Sequence, residues 1–349
     1  MNKKNPYLSI VVSSRNDNHG GNMLERMQMS FNGLFEQLEK YALDSELILV
    51  DWNSPEGKPP LRKIIKWPNN LKYCAVRIIE VSSVIHRRYE HSDKVPINVA
   101  VSLNCGIRRA KGDFILSGTI DLLYPDELIY YIALKKLKNN ERYRTDRYDV
   151  NRDILRLKNK NLKEQLDYCA KNIIQIHGYE TKERPGLPNL HTDACGDFQL
   201  MSKNFWHFLR GYREADLGLS YIDGLLSYAS FSAGAKEVVL KNPLRVYHID
   251  HNEKCNDRLK TFRPVSERLL YPFFRLIKDF VPKSAGKKMV SLHHKLWGKK
   301  NRSEAYGVPT LDYLEYLKLS REMVEGKRPY IFNNEDWGLG KENLSEFII

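Results

Sequence analysis

The chain is 349 residues long, 42% apolar and 28% charged, with charges interspersed among apolar residues; this suits one large domain or one and a half and argues against wholesale disorder. Its five cysteines, Cys74, Cys105, Cys169, Cys195 and Cys255, are odd in number, widely spaced and free of any C-x-x-C, which speaks against a disulfide framework or a structural zinc site. The net charge of +13 is uneven: residues 268–302 hold ten Lys or Arg against the single acid Asp279, a local net of +9, so one segment carries most of the excess and no nucleic-acid partner is expected.

No apolar run approaches the roughly 18–20 residues of a membrane span. The opening MNKKNPYLSIVVSS has only a short apolar stretch broken by Ser9, which predicts a first strand over Leu8–Val12 in place of a signal peptide, and hence a cytoplasmic protein. Leu24, Met27, Phe31, Leu34, Phe35, Leu38 and Tyr41 then recur at helical spacing. Strands over Glu46–Val50 and Val76–Val81 follow, then a helix over Ile97–Ala110 closed by Lys111-Gly112, then a strand over Asp113–Ser117. This alternation implies a parallel sheet with helices on both faces. Residues 140–190 are polar and charged, with a helix predicted over Ile154–Ile174. Beyond them come a short strand over Phe198–Met201, an aromatic helix with Ser202 as N-cap, a helix over Tyr221–Ala233, and strands over Lys236–Leu240 and Leu244–His248.

Parallel sheets of this kind bind ligands beyond the carboxyl ends of their strands. Those ends are Ser13-Ser14-Arg15-Asn16-Asp17, Asp51-Trp52-Asn53-Ser54 and Gly118-Thr119-Ile120-Asp121. Three polar clusters, each with an Asp, are therefore expected to meet in one cleft. No G-x-G-x-x-G follows the first strand and no Walker A sequence occurs, so dinucleotide and P-loop sites are disfavoured.

Taken in order, these landmarks resemble the GT-A glycosyltransferases, most closely the bacterial family 2-like enzymes. LSIVVSSRND is similar to the family's first strand and nucleotide loop, and ELILVDWNSP to the second strand with its base-contacting Asp. NCGIRRAKGDFILSGTID resembles the N-x-G-x3-A-x-G helix leading to the strand that ends in D-x-D. GDFQLMSKNFWHFLRGYRE resembles the acceptor-side strand and helix, and IDGLLSYASFSAGAKEVVL with VYHIDH the base-bearing helix and terminal histidine strand. The resemblance spans residues 7–252. It implies an α/β GT-A catalytic domain over residues 1–262 with a mostly parallel sheet, followed by a basic amphipathic helical extension over 263–349. It also implies a hexosyltransferase-type enzyme moving a sugar from a nucleotide-diphosphate sugar, UDP-sugar favoured, to a saccharide or lipid-linked saccharide acceptor in surface polysaccharide or glycoconjugate synthesis. Two alternatives stand beside it. One is a sugar-phosphate nucleotidyltransferase, which normally has a Gly-rich basic loop where SSRNDNHGGN offers only Arg15 ahead of Gly20-Gly21. The other is a non-catalytic membrane-surface or RNA-binding module on a degenerate scaffold.

The resemblance assigns roles residue by residue. Asp51 and Asp17 are expected at uracil or ribose, with Ser13, Arg15, Asn16 and Asn53 lining the same pocket. Arg88, in the HRRYEHSDK loop, is expected near the diphosphate, where guanidinium forks match phosphate oxygens. Asn104 and Arg108 lie on the helix facing the fourth strand, and Asn104 either touches the donor or ties backbone together. Gly196 allows close approach of the donor sugar, with Asp197 accepting from its hydroxyls. Asp223 is the candidate general base.

Family members hold Mn2+ or Mg2+ at D-x-D, against the charge that develops on the leaving diphosphate. Here the sequence is Thr119-Ile120-Asp121, one carboxylate for a hard cation. Either donor phosphates, waters and His248 or His251 complete the shell, or basic groups partly replace the metal. In a strand, His248 and Asp250 share a face and His251 takes the other, so only one histidine, His248, is expected at the site. Plain structural readings compete throughout: Asp121 as a turn residue, Asp17 and Asp51 as caps, Asp223 as a helix-start carboxylate favoured by the macrodipole, Trp206 as core.

Residues 268–302 carry aromatic and aliphatic stripes at helical intervals among their Lys and Arg. They suit either an interfacial helix pair on an anionic membrane surface, peripheral at its inner face, or packing against the catalytic domain. The tail adds one more amphipathic helix. A stretch through Asn333, Asn334, Asp336 and Trp337 then reads equally as an acceptor-side lid or a docked strand.

Overall fold

A computed structural model describes residues 5–179, 184, 186–214, 221–251, 308, 311 and 313–349. The first half alternates as its periodicity requires: β1 (Leu8–Ser14), α1 (Met23–Lys40), β2 (Ser45–Trp52), α2 (Leu61–Ile64), β3 (Cys74–Val81), α3 (Ser83–His86), α4 (Val99–Arg109) and β4 (Phe114–Gly118). β2 and β4 are buried at every position, and β1 at all but Ser13, as strands covered on both faces must be. Asn98 caps α4 by accepting from the Val101 N–H, and Ser82 caps α3 through the Ile85 N–H.

The second half supplies β5 (Leu122–Leu123), α5 (Asp126–Ala133), β6 (Glu141–Thr145), β7 (Arg147–Val150), α6 (Leu162–Lys171), β8 (Ile173–His177), β9 (Phe198–Ser202), α7 (Lys203–Leu209), α8 (Ile222–Ser232), β10 (Lys236–Leu240) and β11 (Val246–Ile249). The tail adds α9 (Tyr313–Val324) and β12 (Ser345–Ile348). Ser202 caps α7 as expected, accepting from the Phe205 N–H. The helix expected over Ile154–Ile174 is broken up: a 3-10 turn over Arg152–Leu157, then α6, then β8.

The main sheet has the order β10-β6-β9-β4-β1-β2-β3-β12, and only β9 and β12 run against the rest. The mostly parallel central sheet between helices is thus the one observed. The chain steps outward from β1 through β2 to β3, then returns to place β4 on the other side of β1. That reversal opens a crevice between the carboxyl ends of β1 and β4, where ligands bind such sheets. A smaller sheet, β5-β11-β7-β8, stands beside it.

α1 is wedged between the two sheets. Met23, Met27, Phe31, Leu34, Phe35 and Leu38 enter the main core, whereas Leu24 at the edge of the expected stripe is 37% exposed. A second, polar stripe at one-turn intervals, Arg26, Ser30, Gly33 and Gln37, is also buried. It holds the segment after β4 residue by residue: Arg26 on Asp121, the Ser30 hydroxyl on the Leu122 carbonyl at 2.6 Å, and the Gln37 amide on the Tyr124 carbonyl at 2.8 Å.

The described part of the C-terminal segment packs on this body. Leu311, Tyr316, Leu319 and Met323 share a cluster with Leu225, Tyr228 and Ala229 of α8, and β12 pairs antiparallel with β3. Residues 268–302, with the membrane reading placed on them, lie outside the described residues, as does Cys255. The other four cysteines are free and buried. Among the described residues no helix is long and apolar enough to cross a membrane.

Candidate functional site

The three strand-end clusters do converge. The Asn16 N–H donates to the Ser54 hydroxyl at 3.0 Å, joining the loops after β1 and β2. Arg26 joins the loop after β1 to that after β4: its Nε donates to the Gly21 carbonyl at 3.1 Å, one terminal nitrogen to the His19 carbonyl at 2.7 Å, and the other to Asp121.

Asp121 is buried and is the centre of the site. It directly precedes β5, and the antiparallel β5–β11 ladder sets His248 opposite Leu122. The His248 Nε2 lies 3.8 Å from the Asp121 Oδ2. The His251 Nε2 lies 3.2 Å from the same oxygen. Both histidines therefore reach the site, against the expectation of one. β11 ends at Ile249, so the alternation of faces does not extend to residue 251. Burial alone raises the Asp121 pKa, but His248, His251 and Arg26 together hold it far below the ordinary carboxylate range.

Asp121, His248 and His251 each aim one ligand atom into a region where those atoms lie within 4.8 Å of one another. The groups behind them suit a cation site. On the neighbouring parallel strand Asp149 stands level with His248 and accepts from its Nδ1 at 2.9 Å, leaving Nε2 to face Asp121. Carboxylate support of this kind fixes the tautomer and orientation of a ligating imidazole. Asp149 also accepts from the His177 Nε2 at 3.2 Å and from Arg147 at 3.2 Å. Gly20, at φ +69°, makes room for the third ligand: a Cβ there would lie 2.6 Å from the His251 Nδ1 and 2.8 Å from an Arg26 nitrogen. This donor set fits a divalent cation, and one carboxylate with two imidazoles suits Mn2+ better than Mg2+.

On the nucleotide side the assignments divide. The buried Arg15 faces Asp17, its Nε 3.5 Å from the Asp17 Oδ2. Asp17 accepts from the His19 N–H at 3.0 Å; burial raises its pKa, but His19 and Arg15 outweigh that and leave it lowered. Ser13 turns to Ser102 of α4. Asn16 donates to the Pro59 carbonyl and Asn53 to the Pro96 carbonyl, each tying loops together. Asp51 is turned inward. Its two oxygens accept from the Ser54 hydroxyl and the Leu61 N–H, and burial raises its pKa.

Three expected donor contacts lie elsewhere. α4 starts at the cleft and runs away from it, so Arg108 sits roughly 15 Å of helix below Asn98. Its guanidinium holds the tail through the Glu335 and Trp337 carbonyls. Asn104, fully buried, ties backbone: it accepts from the Tyr212 N–H and donates to the Tyr212 carbonyl and to Glu214. Arg88 pairs with Glu342 of the tail at 2.6 Å.

On the acceptor side, Asp197 accepts from the Thr119 hydroxyl at 3.4 Å and from Arg147 at 2.8 Å. The adjoining Gly196 packs on Asp223, where a Cβ would stand 3.2 Å from the carboxylate. Asp223 lies in the first turn of α8 and accepts from the Gly224 N–H at 2.9 Å. Thr119, Asp197, Gly196 and Asp223 thus form a line of contacts leading from the end of β4. Trp206 is core, its indole N–H on the Ile115 carbonyl.

Arg26, Asp149 and His177 were missed in the sequence. The signal for Arg26 was available, since it falls in register with Ser30, Gly33 and Gln37 on a helix that is otherwise apolar on its inner side. Asp149 and His177 had no such signal, because their strands were not expected.

No protein-family model matches the chain, and a search of curated proteins returns no match. Among solved structures, TarS residues 1–349 of S. aureus matches with 12% identity over 92% of this chain and 90% of that one, at a TM-score of 0.47. A mannosyltransferase from Pyrobaculum calidifontis, in complex with GDP-Man and Mn2+, matches with 14% identity over 93% and 75%, at 0.42. The catalytic domain of Drosophila beta1,4-galactosyltransferase 7, in complex with xylobiose, matches with 12% identity over 71% and 72%, at 0.39.

Proposed function

We propose that the chain is a metal-assisted glycosyltransferase that moves a sugar from a nucleoside diphosphate to a saccharide hydroxyl. The observation that carries this reading is the meeting of Asp121, His248 and His251 at the strand-order reversal, with Asp223 reached from the same strand end through Asp197 and Gly196. Asp121, His248 and His251 would hold Mn2+, which when bound supplies positive charge to the diphosphate as it departs. Arg26 holds Asp121 in place, and Asp149 holds His248 with Nε2 facing inward. Arg15, ion-paired with Asp17 in the loop after β1, would lie beside the nucleotide. Asp223 takes the proton of the acceptor hydroxyl as its oxygen attacks the anomeric carbon.

The test is a thermal-shift panel of UDP-, GDP-, CDP- and dTDP-sugars, each with Mn2+, with Mg2+ and with chelator. One nucleotide sugar is expected to raise Tm by several degrees with Mn2+, less with Mg2+ and little in chelator. The absence of any nucleotide-dependent shift overturns the reading.

A further inference from the structure

Arg26 is the one charged member of the buried stripe on α1. Ser30 and Gln37 hold carbonyls with uncharged groups, whereas Arg26 holds a carboxylate with a guanidinium that is itself fully buried. Placing the Asp121 side chain needs a donor, not a charge, and a buried guanidinium costs far more in desolvation than an amide. The charge of Arg26 therefore answers something that placement alone does not require.

It lies where a metal would feel it. Arg26 donates to the Asp121 Oδ2, the same oxygen that the His251 Nε2 approaches to 3.2 Å and the His248 Nε2 to 3.8 Å. The guanidinium is held from behind by the His19 and Gly21 carbonyls, and arginine keeps its proton in proteins. A fixed positive charge thus shares its carboxylate oxygen with both imidazoles.

The charges nearby leave little surplus to draw a cation. Asp121 is the only carboxylate of the three candidate ligands, and Arg26 matches it one for one. Thr119, two residues earlier, adds no charge and donates to Asp197 at 3.4 Å. Behind His248, Asp149 and Asp197 share Arg147, at 2.9 and 2.8 Å, and Asp149 also holds His177 at 3.2 Å. Arg152 and Asp250 both act on Arg26, in opposite senses. A divalent cation entering here adds two positive charges beside a guanidinium, in a buried setting where that repulsion is poorly screened. A ligand that brings its own negative charge, as a diphosphate does, offsets the repulsion.

Resting on the metal site of the glycosyl-transfer reading, we propose that Arg26 is a resident counter-cation that gates metal loading. It satisfies Asp121 by itself, holds the affinity for a lone divalent cation low, and makes that cation bind together with a diphosphate.

Two variants of the full chain separate charge from placement. Arg26→Gln keeps a donor toward Asp121 without the charge, and Arg26→Lys keeps the charge with a different geometry. Mn2+ binding is read by equilibrium dialysis at fixed free Mn2+, alone and with inorganic pyrophosphate, and Tm is read in chelator and in Mn2+. In the wild-type chain, pyrophosphate should raise Mn2+ affinity by about tenfold or more, and Mn2+ alone should leave Tm nearly unchanged. Arg26→Gln should bind Mn2+ alone about tenfold or more tighter than wild type, with a smaller pyrophosphate effect; its Tm should fall in chelator and recover in Mn2+. Arg26→Lys should stay within about threefold of wild type for Mn2+ alone. A positioning role without the charge would weaken Mn2+ binding in both variants. Unchanged or weaker Mn2+ binding in Arg26→Gln, or equal tightening in Arg26→Lys, overturns the proposal. A wild-type Mn2+ affinity that pyrophosphate does not raise overturns it without any variant. Pyrophosphate carries no base or sugar, so the result is independent of the nucleotide panel. This coupling with no nucleotide-sugar shift would remove the transfer reaction and keep the metal gate; nucleotide-sugar shifts with Mn2+ affinity unmoved in Arg26→Gln would do the reverse.

Discussion

A fully buried carboxylate such as Asp121 costs several kcal/mol in desolvation unless its surroundings answer the charge. Here Arg26 and two imidazoles answer it, which is why it stays ionised. Asp223 differs: it sits at a helix start against a glycine, with few claims on its oxygens. Asp223→Asn should therefore lower turnover by about 10^2–10^4-fold with nucleotide-sugar affinity within about twofold of wild type. Near-normal turnover would return Asp223 to a role in the helix alone. His177 offers a test by pH. Its hydrogen bonds to Asp149 and Asp193 raise its pKa from 6.5 to about 9. Because the folded value lies above the unfolded one, the stability it contributes is fully present below about pH 6.5 and is lost as pH rises through about 9. His177→Gln should accordingly cost at most about 3 kcal/mol at pH 6 and much less at pH 9.5, read from urea unfolding. An equal loss at both values would mean that packing, not charge, is what the residue supplies.

Among the elements, α1 gathers the site, and its inner stripe explains how. Side chains along one face fasten Asp121, Leu122 and Tyr124 of the segment after β4, so Asp121 is positioned by a helix more than by its own loop. Gly20 and Gly21 lead into that helix, both at positive φ, and give a controlled pair. A Cβ on Gly20 meets His251 and Arg26, whereas one on Gly21 meets only an Arg152 nitrogen at 3.5 Å. Both alanine variants share the backbone penalty of roughly 1–2 kcal/mol. Only Gly20→Ala should also weaken Mn2+ binding, by about tenfold or more in titration calorimetry. Equal Mn2+ affinity in the two variants would remove His251 from the cation site. The strands β1 to β4 with α1 and α4 were legible because alternating and helical apolar periods are strong there. β6 was not: Glu141–Thr145 reads ERYRT, yet Arg142 and Arg144 are fully buried, Arg142 against Gln199 and Glu237. A strand whose buried residues are charged has no apolar signature, and β7 and β8, which carry Asp149 and His177, were hidden with it. His251 escaped for another reason, since its place depends on where a strand stops.

For the molecule as a whole, the question is what fixes the tail against the sheet and α8. β12 closes the sheet on β3, and its Glu346 holds Arg77 through two bonds, at 2.6 and 3.1 Å. Arg77 also reaches Glu46 at 2.7 Å, and Glu46 accepts in turn from Ser9 of β1 and from the Lys111 N–H ahead of β4. Glu46 is therefore the pin on which β1, β2, β3 and the approach to β4 meet, and Arg77 links β12 to it. The two carboxylates should then differ in effect. Glu46 is 2% exposed, so Glu46→Gln leaves Arg77 underpaired in the core and should cost about 3–5 kcal/mol. Glu346 is 31% exposed and screened by solvent, so Glu346→Gln should cost about 1 kcal/mol or less. Urea midpoints with unchanged m-values distinguish them. Because α9 also packs on α8 through Tyr316, Leu319 and Met323, the Glu346→Gln chain should keep its tail docked, with its resistance to limited proteolysis unchanged. If Glu346→Gln instead destabilises as much as Glu46→Gln, the tail is part of the central sheet's own stability; faster proteolysis of the tail with it would make β12, not the α8–α9 contact, the feature that holds the tail in place.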